Sequence, residues 1–257
     1  MTTVDAPVPR HGISVNALIL IGAVVALGWA LTIPTALTGF LTFAFVALAW
    51  VLSVGVHEFG HAFVAHKAGD TTIVGKGYLT LDPLKYSDLS TTLIFPLIAL
   101  ALGGIGFPGG AVYLREDLMR TRTWRSLASL AGPLGTLVVL IVIAVVLPLF
   151  GNRAPALTNA LSLLAFLQAS ALVLNLLPVP GLDGYGVIRP FLPEGVRARL
   201  VKVELIGFLI LFGLIFFVPG VSAVIFGTAG AVAGLLGVSF DAMGAGWDAF
   251  RFWGSAG

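Results

Sequence analysis

The chain has 257 residues, of which 58% are hydrophobic and only 10% are charged, and its mean hydropathy is +1.04. This composition excludes an ordinary soluble globular protein and predicts an all-α polytopic membrane protein. The net charge of +2 is too small to indicate a nucleic-acid partner, and the absence of cysteine excludes disulfides and cysteine-ligated metals.

The first predicted elements are two membrane-spanning helices. Residues 1–13 contain two prolines and a glycine, and we expect them to form a flexible N-terminus. Residues 14–33 are predicted as a retained helix, because no small-residue cleavage site separates them from a soluble domain. Residues 40–66 are predicted as the second span, which ends where Gly69 follows a cation.

Residues 67–125 do not follow the pattern of a spanning helix. Within them, residues 71–90 are polar and contain β-branched clusters, which predicts a small β-like segment at one membrane face. The apolar run 92–106 contains Pro96 and is shorter than the roughly 20 residues that a span requires. We therefore expect residues 92–113 to be re-entrant.

The C-terminal half predicts four more spans and a tail. The spans are residues 126–149, 157–178, 203–218 and 221–238, with Pro219 and Gly220 between the last two. About six transmembrane helices then form a single membrane-embedded domain over residues 1–257. The tail, residues 239–257, is expected at the membrane interface because of its aromatic side chains, which are Trp247, Phe250, Phe252 and Trp253.

The sequence His57-Glu58-Phe59-Gly60-His61 lies inside the second predicted span. His57 and His61 are four residues apart, so on a helix they share one face and can bind the same metal ion. Glu58 lies beside that face, where a general base for a metal-bound water would be placed. Since each ionisable group costs about 2.5 to 3.5 kcal/mol or more inside a membrane, the motif indicates function.

A second polar motif, Asn175 to Gly184, follows the fourth predicted span. Its carboxylate, Asp183, can complete a ligand set with His57 and His61 and leave the fourth position of a tetrahedral zinc for water. The alternative interpretation of Asp183 is an ordinary Asp-Gly turn.

With both motifs present, the chain resembles the site-2 protease family of intramembrane zinc metalloproteases, in a compact form without a PDZ domain. The resemblance also includes Ala131-Gly132-Pro133 and covers residues 40–190. It implies hydrolysis of peptide bonds in or near transmembrane segments of substrate proteins. It also implies one zinc ion per chain, with His57, His61 and Asp183 as ligands.

The same resemblance implies roles for residues outside the ligand set. Glu58 would be the catalytic glutamate, and Asn175 would position or polarise the scissile carbonyl. In the family, a membrane-associated loop pairs with an unwound segment of the substrate. The residues similar to that loop are Gly109, Gly110, Ala111, Val112 and Tyr113.

Topology supports the pairing of the two motifs. Both lie at C-terminal ends of predicted spans, so they meet only if an even number of crossings separates them. Residues 126–149 and 157–178 supply two crossings if the run 92–106 does not span. Thirteen of the fourteen Lys and Arg residues then lie on one side, opposite Arg153; these are Arg10, Lys67, Lys76, Lys85, Arg115, Arg120, Arg122, Arg125, Arg189, Arg197, Arg199, Lys202 and Arg251.

The positive-inside rule makes that side cytoplasmic. We therefore expect a multi-pass protein of a prokaryotic cell membrane, with both termini in the cytoplasm and the active site near the cytoplasmic face. The expected partners are a transmembrane protein substrate and the lipid bilayer, with a regulatory membrane protein as a further candidate and no nucleic acid.

Three alternatives stay open from the residues alone. Another type of membrane zinc protease would use a downstream glutamate, Glu194 or Glu204, as its third ligand. A divalent-metal transporter would require more polar ligands in other spans, of which the sequence offers few. An inactive relative would bind membrane helices without cutting them.

Overall fold

The computed structural model describes residues 12–86 and 112–254, with the side chains of Leu205 and Phe208 excepted. These residues form helices and turns, and no strand occurs among them. The helices are α1 Val15–Ala30, α2 Thr38–Ala68, α3 Thr72–Lys76, α4 Arg122–Phe150, α5 Pro155–Asn175, α6 Asp183–Ile188, α7 Glu194–Val201, α8 Glu204–Phe217, α9 Pro219–Leu235 and α10 Phe240–Phe250.

Apolar helices occur at all six positions where a span is predicted, but they are not six separate spans of full length. In the described part of the chain, α2, α4 and α5 are long and apolar enough to cross a membrane. Helix α1 has 16 residues, which is short for a span. Helices α8 and α9 make a fourth candidate only as one unit, bent by 96°. The bend follows from Pro219, which cannot continue the preceding helix and keeps Val218 extended.

Helix α2 is the central element and contacts α1, α4, α5 and α10. Large side chains such as Phe45 and Trp50 fill the core around it. Close to the His-Glu motif, small residues bring α2 and α4 together. A Cβ atom at Gly60 would lie 2.4 Å from the Ala131 carbonyl oxygen, and one at Gly135 would lie 2.8 Å from the Val56 carbonyl oxygen. The two backbones therefore touch at the level of the motif.

The C-terminal helix α10 is part of the core, contrary to the expectation of a purely interfacial tail. It packs on α5 and α2, and a Cβ atom at Gly246 would lie 2.2 Å from the Asn159 carbonyl oxygen. Phe250 is fully buried, and its ring centroid lies 5.1 Å from that of Phe43. Its burial corrects the assignment of this aromatic residue to the membrane surface.

The β-like prediction is wrong for the described residues 71–86, which form the short helix α3 and turns. Asp70 accepts hydrogen bonds from the Thr72 N–H and hydroxyl, and Gly77 ends the helix with φ at +74°. These local signals outweigh the strand preference of the β-branched residues. The predicted re-entrant run 92–106 and the loop residues 109–111 lie outside the described residues.

Asp70 joins the two ends of this region. Its carboxylate is fully buried and accepts a hydrogen bond of 3.0 Å from the Thr72 N–H and one of 2.8 Å from the Arg115 N–H. Thr72 and Arg115 are 43 residues apart in the sequence. The Asp70 side chain therefore holds two distant parts of the chain close together.

We expect Asp70→Ala to lower the free energy of unfolding by about 3 kcal/mol, because it leaves the Thr72 and Arg115 N–H donors, both in part-buried hydrogen bonds, without an acceptor. Thermal unfolding of the detergent-purified protein measures the effect. The control is Asp117→Ala, which removes an exposed carboxylate paired with exposed Arg115 and should change the melting temperature little. Equal melting temperatures for the two variants would contradict this role of Asp70.

Candidate metal centre

Three predicted ligands meet in one cluster. The Nε2 atom of His57 lies 3.1 Å from Asp183 Oδ2, and that of His61 lies 3.2 Å from Asp183 Oδ1. The two Nε2 atoms are 3.1 Å apart. Among the described residues this is the one group of three or more His, Asp and Glu side chains that could hold a metal ion.

The other nitrogen of each imidazole contacts α4. His61 Nδ1 lies 2.7 Å from the Ala128 carbonyl oxygen, and His57 Nδ1 lies 2.9 Å from Thr136 Oγ1. A carbonyl oxygen can only accept, so His61 Nδ1 carries a proton, and in the neutral imidazole Nε2 presents a lone pair to the cluster. Such a partner on the far nitrogen orients a histidine for metal binding.

Gly132 makes room for both imidazoles. A Cβ atom at this position would lie 2.1 Å from His61 Nε2 and 2.7 Å from His57 Nε2. Ala128, Gly132 and Thr136 are spaced four apart and so share one face of α4. The contacts of Ala128 and Thr136 with the imidazoles were not predicted from the sequence. A threonine inside an otherwise apolar span was the available signal for Thr136.

A tight turn brings Asp183 to the histidines. Helix α5 ends at Asn175, and α6 begins at Asp183, so seven residues reverse the chain. Gly181 has φ at +95°, and a Cβ atom at Gly184 would lie 2.3 Å from the Leu176 carbonyl oxygen. The Asp-Gly pair is therefore the start of α6 and not the turn of the alternative interpretation, and its carboxylate faces His57 and His61.

Asp183 lies outside the candidate spans, and its surroundings favour the ionised form. Burial raises the pKa of the Asp183 carboxyl. When the imidazoles are protonated, the charge of His61 and hydrogen bonds from both imidazoles outweigh this effect and hold the pKa of the Asp183 carboxyl below its usual range. The carboxylate is thus in the form that binds metal.

Glu58 is buried next to the cluster and is not one of its three members. Its Oε2 accepts a hydrogen bond of 3.1 Å from the Val112 N–H. The adjacent Tyr113 is 67% exposed, and its carbonyl accepts a hydrogen bond from Lys76 Nζ. The described end of the predicted substrate loop therefore lies against Glu58.

The remaining candidate residues are Asn175 and the two downstream glutamates. Asn175 is buried at the last residue of α5. Glu204 lies 3.9 Å from the Arg189 guanidinium, and Glu194 begins α7. Neither glutamate belongs to the group of potential ligands, so the geometry favours Asp183 as the third ligand.

Known proteins with similar sequences carry names of one kind. A protein of Mycolicibacterium smegmatis named "Putative zinc metalloprotease Rip2" is 41% identical over 212 residues, which cover 82% of this chain and 81% of the relative. A protein of the same name from Mycobacterium tuberculosis is 42% identical over 223 residues, with 86% and 84% covered. "Putative zinc metalloprotease YwhC" of Bacillus subtilis is 31% identical over 183 residues, with 68% and 81% covered.

No family model and no solved structure matches the chain. The identities extend over most of both proteins in each pair, and the sequence contains both motifs on which the resemblance rests. The chain therefore belongs to the site-2 protease family, together with the Rip2 and YwhC proteins.

Proposed function

We propose that this protein is an intramembrane zinc metalloprotease that hydrolyses peptide bonds in or near transmembrane segments of substrate proteins. The observation that carries the proposal is the convergence of His57 Nε2, His61 Nε2 and an Asp183 carboxylate oxygen, which all lie within 4.8 Å of one another. Glu58 is buried beside them.

The donor set fits zinc. Two imidazoles and one carboxylate are typical protein ligands of catalytic zinc, and three ligands leave a position for the reactants. Thr136 and Ala128 hold the two imidazoles by their Nδ1 atoms, which supports a preformed site. A zinc ion bound there supplies Lewis-acid activation of water and of the peptide carbonyl.

Glu58 is the proposed general base. Its carboxylate takes a proton from the attacking water and passes it to the amine that leaves when the peptide bond breaks. The Val112 N–H orients this carboxylate. We propose that the Asn175 side chain donates a hydrogen bond to the scissile carbonyl oxygen, where negative charge develops during attack.

Substrate binding is proposed along residues 109–113. A helical substrate hides its peptide groups in its own hydrogen bonds, so it must unwind before cleavage. Addition of the unwound segment as a strand beside Gly109, Gly110, Ala111, Val112 and Tyr113 would hold it extended. The contact of Val112 with Glu58 supports this placement, because it brings the end of the loop to the proposed base.

The proposed topology puts the centre near the cytoplasmic face of a prokaryotic membrane, with both termini on that side. Helices α4 and α5 lie between the two motifs in sequence and are both long enough to cross. Two crossings return the chain to the same face, and the Lys and Arg residues concentrate there. A transmembrane protein substrate and a regulatory membrane protein are the proposed partners.

Zinc content tests the ligand set. We expect near one zinc ion per wild-type chain after removal of loosely bound metal, and a large loss in Asp183→Ala, because two imidazoles alone bind zinc more weakly. Inductively coupled plasma mass spectrometry of the detergent-purified protein measures it. Glu194→Ala and Glu204→Ala are the controls and should keep the metal. Loss of zinc in either control with retention in Asp183→Ala would select the alternative ligand.

The variant Glu58→Gln separates metal binding from catalysis. We expect it to keep its zinc and to lose cleavage by about a hundredfold or more, because the amide cannot accept the proton. The assay follows cleavage of fluorescence-quenched peptides built on single transmembrane segments, with a peptide that the wild type cuts. Full cleavage by Glu58→Gln would refute the assignment of the base.

Gly132→Ala tests the close packing at the imidazoles. Its methyl group would occupy the position 2.1 Å from His61 Nε2, so we expect about a tenfold or greater loss of zinc affinity. Competition with a chromogenic chelator measures the affinity. Gly227→Ala, in a position with no atom within 4 Å, is the matched control and should bind zinc as the wild type does. Equal affinities would show that Gly132 is not needed for space.

A further inference from the structure

A second polar site lies apart from the metal centre, at the start of α4. Here a cavity of about 500 Å³ opens between the first turn of α4 and one face of α7. Seven of the nine residues that line it are charged. On α7, the lining positions Glu194, Arg197, Ala198 and Val201 follow helical spacing, so one face of this helix forms a wall.

Several of these charges are already neutralised by neighbours. Arg189 pairs with Glu116 and also lies 3.9 Å from Glu204. Asp117 pairs with Arg115 at 2.7 Å. The pair of Arg115 and Asp117 is neutral, whereas Arg189 together with Glu116 and Glu204 has one net negative charge.

Three of the four cations that line the cavity have no ion-pair partner in the described residues. Arg125, Arg197 and Lys202 take part in no ion pair within residues 12–86 and 112–254. Arg125 Nε is buried and has no hydrogen-bond partner. The lining of the cavity contains four cations and three carboxylates, so it has an excess of one positive charge and suits an anion.

The surroundings of the cavity are apolar and exposed. Val201 lines the cavity and is 50% exposed, and Phe191, two residues after the lining residue Arg189, is 57% exposed. Arg125 lies in the first turn of α4, a helix long enough to cross a membrane, so the cavity lies at one end of a span. Basic groups beside exposed apolar side chains are typical of protein surfaces at the boundary of an anionic membrane.

We propose that this cavity binds the phosphate group of an anionic membrane lipid. Arg125, Arg197 and Lys202 contact the phosphate oxygens, and the exposed side chains of Phe191 and Val201 contact the acyl chains. A lipid satisfies both the charge and the apolar surface, whereas a soluble phosphate satisfies only the charge. The proposed site is separate from the zinc ligands and does not depend on the protease function.

Native mass spectrometry of the delipidated, detergent-purified full chain tests the site. Titration with phosphatidylglycerol should show saturable binding, and phosphatidylcholine should bind about tenfold or more weakly. The triple variant Arg125→Gln, Arg197→Gln, Lys202→Gln should lose the preference for phosphatidylglycerol. The single variant Lys202→Gln changes an exposed side chain and should weaken binding in the same direction if the triple variant does not fold.

The matched control is Arg122→Gln, Arg199→Gln, Lys85→Gln, which removes three exposed cations that do not line the cavity. It should bind phosphatidylglycerol as the wild type does. Equal losses in the two triple variants would overturn the proposal in favour of general surface charge. Competition by glycerol 3-phosphate at the same concentration would overturn it in favour of a soluble anion. Because the readout is binding, neither result bears on peptide cleavage.

Discussion

The close contact between α2 and α4 is the constraint on which the metal centre depends. In a membrane, lipid chains solvate apolar side chains as well as another helix does, so small residues and interhelical hydrogen bonds carry much of the association. Gly60, Gly132 and Gly135 supply the small residues at this crossing. The approach places the Ala128 carbonyl and the Thr136 hydroxyl within hydrogen-bonding distance of the two imidazoles. The packing that joins the helices thus also orients the ligands.

The proximity of the candidate site residues could be predicted from the sequence; these are His57, Glu58, His61 and Asp183. It depends on local helical spacing and on an even number of membrane crossings between the two motifs. Four-residue spacing decides which histidines share a face, whatever packs against them. Ala128 could not be found in this way, since its contribution is a backbone carbonyl that any residue would carry. Gly132 was recognised in the sequence as part of a motif. The reason that it must lack a Cβ atom becomes clear only from the close approach of α2 and α4.

The predictions that failed depend on contacts distant in sequence or on breaks between helices. Residues 71–86 have the composition of a strand, yet Asp70 accepts hydrogen bonds from Thr72 at the start of a short helix and from the Arg115 N–H beyond the intervening segment. The division at Pro219 was predicted, but its 96° angle turns two expected spans into one bent pair. Phe250 is of a residue type that often anchors a chain at the membrane interface. It is nevertheless buried, because Gly246 allows α10 to pack closely against α5.

The short helix α6 links the candidate metal centre to the ion pairs of Arg189. Asp183 begins α6, and Arg189 follows directly after the end of this helix. Arg189 pairs with Glu116, which precedes α4, and lies beside Glu204, which begins α8. The turn after α5 holds one end of α6, and these ion pairs hold the other. Asp183, the proposed third metal ligand, is therefore positioned from both sides, even though it is on a helix of only six residues.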